Sequence, residues 1–331
     1  MKKFLIVVAV IAIVFFMGPK VEKPSVDWKV PQQNEQIDLI LLKQEIDLRE
    51  KNTKFIKPNN ESRLIFADSI PQKTEYCLLY LHGFSASPQE GYPLNEVFPQ
   101  RYHMNVYMPR LAGHGLESSA NLLEMTPNHL IESAKEALRV ARQLGDKVIL
   151  MSTSTGGTLS LILASANPDI AALILYSPNI EMREDMTKIF TFPWGLQIGK
   201  MVNGDMVTYP DDPPIIKKYW QSSYRLEAVA YLQSLVENTM TARTFNEVKQ
   251  PLFLGYYYKD EDHQDPTVKV SAMIKMFDEL GTPDELKRKV AFPNAGEHPI
   301  ASDLRSKDIA GVERETFKFA EEILKMKVKE N

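Results

Sequence analysis

A chain of 331 residues is long enough for one large α/β domain with an insertion, or for two small domains. Its 39 Lys and Arg against 43 Asp and Glu leave a net charge of −4 with no basic block, which excludes the electrostatics of a nucleic-acid surface. The single cysteine, Cys77, excludes an internal disulfide, and its place in the apolar run 77–81 assigns it to the core.

At the N-terminus, Lys2 and Lys3 precede an unbroken apolar run over residues 4–17, which Gly18-Pro19 ends. A charged start and an apolar stretch of this length have the form of an export signal. As helix the run spans only about 21 Å, short for a bilayer core. Phe15, Phe16 and Met17 fill the positions where a small-x-small cleavage site would fall, and no cysteine stands there for lipid attachment. The expectation for residues 1–19 is a retained signal acting as a membrane anchor, with its lysines on the cytoplasmic side. The body would then lie outside the cytoplasmic membrane.

Residues 20–34 mix Pro, Lys, Glu and Gln and read as a tether. Ile37, Ile40, Leu41 and Ile46 recur at helical spacing and predict a short amphipathic helix over 36–49. Residues 20–61 are therefore expected as tether and helix, and 62–331 as the folded domain. Strand signals follow at 63–67, 75–81, 105–108, 148–151 and 171–176. The clearest helix between them opens at Pro127, with Thr126 as N-cap and Gly145 at its end. Near-continuous apolar strands separated by helices predict an α/β fold, a mostly parallel sheet with helices on both faces. Residues 178–249 interrupt the alternation with prolines and aromatics, among them Trp194, Tyr209, Trp220 and Tyr224, and read as an inserted cap or lid, or equally as ordinary helices extending the domain. The pattern resumes with a strand at 252–258, a helix through Met276, a strand at 289–292 and a terminal helix over 312–327.

Four loops carry the chemistry. Residues 148–151 stop abruptly at Ser152-Thr-Ser154-Thr-Gly156-Gly157 and resume as helix-like sequence. A strand turning sharply into a helix, with serine at the corner and glycine two places later, is the local pattern of a nucleophile elbow. Ser152 stands where the first glycine of that pattern would be. A turn His82-Gly83-Phe84 follows the strand at 75–81, and Gly113-His114-Gly115 follows the next. Both histidines read as structural. After the strand at 252–258, Asp260, Asp262 and Asp265 compete as the acid. Asp265 is preferred because Asp-Pro-Thr-Val leads at once into helix-like sequence; otherwise the loop reads as a solvated acidic surface or a calcium site. Ala-Gly-Glu-His298 follows the last strand.

These pieces, in the order Ser154, Asp265, His298, resemble the α/β-hydrolase family from about residue 62 onward, particularly its monoacylglycerol-lipase-like and carboxylesterase branch. The resemblance implies acyl transfer through a serine ester. Ser154 would be the nucleophile, His298 the base, Asp265 its orienting acid, and the backbone N–H groups of Phe84 and Thr155 the oxyanion hole. It implies a small ester or acyl substrate, no cofactor and no metal. The same triad would serve a peptidase or amidase, and the fold also exists as a non-catalytic binding protein.

Overall fold

In a computed structural model of the chain, residues 3–5, 13–32, 37–117 and 122–329 are described. Helix α1 (Leu39–Asn52) precedes β1 (Arg63–Ile65), β2 (Thr74–Leu81), α2 (Leu94–Arg101) and β3 (Asn105–Met108). Then come α3 (Pro127–Leu144), β4 (Gly145–Thr153), α4 (Thr155–Ala166) and β5 (Ile170–Tyr176). Thr126 caps α3 by accepting from the His129 N–H, as its sequence position predicts.

Residues between β5 and the next sheet strand form α5 (Gly195–Asn203), a short hairpin of β6 (Met206–Thr208) and β7 (Ser223–Arg225) enclosing α6 (Pro214–Tyr219), then α7 (Leu226–Thr239) and α8 (Ala242–Glu247). The hairpin has no counterpart in the sequence reading. The chain closes with β8 (Leu252–Tyr256), α9 (Val270–Glu279), β9 (Lys287–Ala291) and α10 (Ile309–Glu322). Several expected boundaries shift by two to five residues, and α10 stops well short of Lys327.

Among the described residues, one seven-stranded sheet has the order β1-β3-β2-β4-β5-β8-β9. Only β1 runs antiparallel to its neighbour. Alternation along each strand feeds two separate cores. Leu79, Leu150 and Leu173 pack with α3 and α4 on one face. Tyr80, Met151 and Ile174 pack with α2 and α10 on the other. Cys77 lies in the first of these, fully buried. Every chemistry-bearing loop follows the carboxyl end of a parallel strand, so the topology gathers these loops at one edge of the sheet.

Residues 18–32 do not hang free, which corrects the expected tether. The segment has no repetitive structure, but side chains of the body satisfy its backbone. Asn128 accepts from the Ser25 and Val26 N–H groups at 2.8 and 3.2 Å. Asn167 accepts from Val30 N–H at 2.8 Å and donates to Trp28 C=O at 3.1 Å, while Arg142 donates to Val30 C=O at 2.8 Å. Further back, Ser234 of α7 donates to Glu22 C=O, and Trp194 N–H donates to Pro19 C=O. Of the apolar run expected as an anchor, residues 6–12 lie outside the described residues. Among those described, no helix is long and apolar enough to cross a membrane.

Candidate active site

Between the last residue of β4 and the first of α4 stands Ser154 alone, at φ 54° and ψ −118°. A non-glycine residue at positive φ costs about 1–3 kcal/mol and persists only where its surroundings impose it. Here Ser154 N–H donates to Tyr176 C=O at 3.0 Å, and its own carbonyl accepts from Gly157 and Asn179 N–H at 2.8 and 2.9 Å. The turn closes because α4 presses directly on the end of β2. A Cβ on Gly156 would stand 1.9 Å from the Leu81 carbonyl oxygen. Gly156→Ala is therefore expected to destabilise the fold by about 3 kcal/mol, read as a lowered urea midpoint. Ser152 is accommodated where glycine was anticipated because it is fully buried and receives a hydrogen bond from Ser160 Oγ at 3.0 Å.

His298 follows β9 on a turn and is buried. Its Nδ1 lies 2.7 Å from Asp265 Oδ2. The other carboxylate oxygen of Asp265 accepts from Thr267 and Val268 N–H at 2.9 and 3.0 Å, which fixes the group's orientation. Burial opposes ionisation of Asp265, but the His298 charge and these hydrogen bonds overcome it and hold the carboxyl below its usual range. Burial likewise disfavours the His298 cation, yet Asp265, with Glu90 and Glu297 further off, raises the imidazole's pKa. His298 Nε2 is buried without a hydrogen-bond partner. The competing aspartates are elsewhere: Asp260 is exposed and pairs with His263 at 2.7 Å, and Asp262 is exposed as well.

The turn after β2 brings Phe84 beside this group, and Thr155, as first residue of α4, has an N–H with no acceptor within the helix. His82 Nε2 accepts from Leu111 N–H at 3.1 Å, so its Nδ1 carries the hydrogen and donates to Gly83 C=O at 2.9 Å. Burial keeps His82 far less basic than a free imidazole and pushes His114 down to about 4. Both stay neutral and tie two loops together through an edge-to-face contact at 5.0 Å.

Ser154 and His298 line one cavity of about 280 Å³, with Phe84 on the same wall. The inserted segment supplies the facing wall through Tyr209, Trp220 and Tyr224. Phe84 packs edge-to-face on Tyr224 at 5.0 Å. Three charged groups of this cavity, Arg305, Asp212 and Glu90, escaped the sequence reading. Arg305 stands over the Trp220 ring and 3.9 Å from Asp212. Glu90 is 2% exposed and accepts from Gly83 N–H at 2.5 Å. Among the described residues, no group of three or more His, Cys, Asp or Glu is arranged to hold a metal ion.

The sequence profile of a family described as the alpha/beta hydrolase family matches residues 78–307, more than half of the chain. A thermostable monoacylglycerol lipase of Bacillus sp. (strain H-257) is 33% identical over 98 residues, 29% of this chain and 38% of that protein. The match thus spans well under half of that relative. Among solved structures, one from work on LipS and LipT, two metagenome-derived lipolytic enzymes, superposes with a TM-score of 0.64 at 18% identity. It covers 81% of this chain and 99% of the other. A monoacylglycerol lipase of Paleococcus ferrophilus gives 0.55 at 14% identity over 78% of this chain and 96% of its own. At these identities the two structures speak for the fold.

Proposed function

Because the chain belongs to the alpha/beta hydrolase family, we propose that it is a serine esterase of lipase-like type, acting through Ser154, His298 and Asp265. The observation that carries this reading is the imidazole of His298. One of its nitrogens is held by a buried carboxylate, while the other is unpaired in the cavity that Ser154 lines. Ser154 Oγ attacks the ester carbonyl carbon as His298 Nε2 takes its proton. The carbonyl oxygen becomes an oxyanion, held by the N–H groups of Phe84 and Thr155. Collapse breaks the bond to the alcohol, which leaves with the proton from His298, and Ser154 is left acylated. Water then repeats the sequence, with His298 as base, to free the acid.

An ester is favoured over a peptide amine because two of the three carboxylates lining the cavity are already engaged. Asp212 accepts from Ser222 Oγ at 2.7 Å and faces Arg305, while Glu90 is taken by the Gly83 N–H. With p-nitrophenyl esters of increasing chain length, the expected result is a burst of about one equivalent of p-nitrophenol before steady turnover. Aminoacyl p-nitroanilides should be cleaved far more slowly. Faster cleavage of the anilides would move the reading to an amidase, and no turnover of either would remove it.

The apolar run at the N-terminus fits a membrane anchor on the outer face of the cytoplasmic membrane. Phe16 and Met17 are exposed where the run meets the inserted segment, as are Ile198, Met201 and Val202 on one face of α5. The full chain is expected to float with lipid vesicles, and a chain lacking residues 1–17 to remain in the unbound fraction. Equal flotation of both would remove the anchor.

A further inference from the structure

Glu90 has no role in the mechanism above, yet it is among the most buried charged groups near the cavity. It sits in a single 3₁₀ turn, Pro88–Gly91, which follows the Phe84 loop. Its carboxyl oxygens would lie 3.0 and 3.1 Å from a Cβ placed on Gly83, and Ser154 Cβ would lie 3.0 Å from that same point. The Glu90 carboxyl and the Ser154 side chain thus flank one glycine, and a side chain there would have to push one of them aside.

We propose that Glu90 is a positioning residue for the reaction: its carboxyl locks the Gly83 backbone against Ser154 and shares the charge of the cavity with the imidazole of His298. The inference rests on the esterase reading for its kinetic consequence, though not for its electrostatic one.

The positioning follows from peptide planarity. Gly83 has two soft torsions, and the peptide groups on both sides of it are tied down. Its N–H is held by Glu90 at 2.5 Å. Its C=O accepts from His82 Nδ1 at 2.9 Å and from Ala86 N–H at 3.3 Å. In a trans peptide, the N–H of Phe84 points opposite to that carbonyl, so fixing the Gly83 C=O also fixes the Phe84 donor. Glu90 completes the arrangement from the other side. Without it the Gly83 N–H would be buried and unpaired, and the turn would be free to rotate towards another acceptor.

The charge follows from the surroundings. Tyr80 of β2 and Trp220, just after α6, also favour the ionised Glu90 carboxyl, and His298 lines the same cavity. Glu297, Asp212 and Arg305 are the other charged groups lining the cavity. Burial pushes the Glu90 carboxyl up to about 7, against the pull of the Gly83 N–H and His298. Its charge in turn favours the protonated imidazole. Glu90 and His298 therefore titrate as a coupled pair. A neutral isostere removes one partner, so the imidazole loses its proton at lower pH.

Three proteins test this: the wild type, Glu90→Gln and Glu90→Ala. Glutamine keeps an oxygen for the Gly83 N–H but carries no charge. Its expected signature is a kcat within a few-fold of wild type, with the acid limb of kcat/KM moved down by about one pH unit. Alanine removes the acceptor and should lower kcat by about 10²-fold, more than it changes KM. Independently of any activity, the His298 ring resonances, followed by NMR, should titrate at lower pH in Glu90→Gln. An unchanged His298 titration would overturn the charge coupling, and an unchanged kcat in Glu90→Ala would overturn the positioning. If wild type hydrolyses no ester while the NMR shift is seen, the esterase reading fails and the coupling stands. If Glu90→Ala does not fold, the glutamine variant still decides through the NMR titration.

Discussion

Ser154→Ala is expected to lower kcat on p-nitrophenyl esters by about 10⁶-fold and to abolish labelling by a fluorophosphonate probe. The loss should leave the fold in place. Ser154 is held at its strained corner through its backbone, by bonds to Tyr176, Gly157 and Asn179 that alanine keeps. Its side chain faces the cavity, so truncation opens no void in the core. The neighbouring Ser152 cannot substitute, because it is fully buried and bonded to Ser160. Residual labelling of a folded Ser154→Ala protein would therefore place the nucleophile elsewhere and end the proposed mechanism.

Asp265→Asn should cost about 10⁴-fold in kcat with little change in KM. The reason is tautomeric. Asp265 Oδ1 is claimed by the Thr267 and Val268 N–H groups. An asparagine would keep its oxygen there and turn its NH₂ towards His298 Nδ1. Nδ1 would then have to accept, the ring hydrogen would move to Nε2, and the imidazole could no longer take the serine proton. Asp260→Asn and Asp262→Asn alter exposed side chains and should stay within about threefold of wild type. A loss in Asp260→Asn equal to that in Asp265→Asn would overturn the choice of acid.

What could be read in the sequence depended on whether a residue's role was periodic or local. The sheet was legible because buried parallel strands must be apolar on both faces, and runs such as 148–151 and 171–176 satisfy two cores at once. The elbow was legible because Gly156 leaves no space for a side chain, a demand that few residue types meet. Asp265 was chosen by its place before helix-like sequence, and its Asx-type bonds to Thr267 and Val268 give that choice its physical basis. Glu90 gave no such signal. A glutamate between Gln89 and Gly91 reads like any polar turn, and only the tertiary approach of Gly83, Tyr80 and Trp220 buries it. The segment 18–32 was misread for a related reason. Its polar composition is that of a solvated linker, and the asparagines and arginine that hold it lie more than a hundred positions away in the chain.

That segment adds a second link between the insertion and the body of the domain, which already share one core. Near Pro19 and Glu22 it is tied to Trp194 and Ser234 of the insertion, and by Val30 to Asn167 and Arg142 beneath the sheet. The segment thus braces, at Trp194 and Ser234, the same insertion whose Tyr209, Trp220 and Tyr224 form the wall facing Ser154.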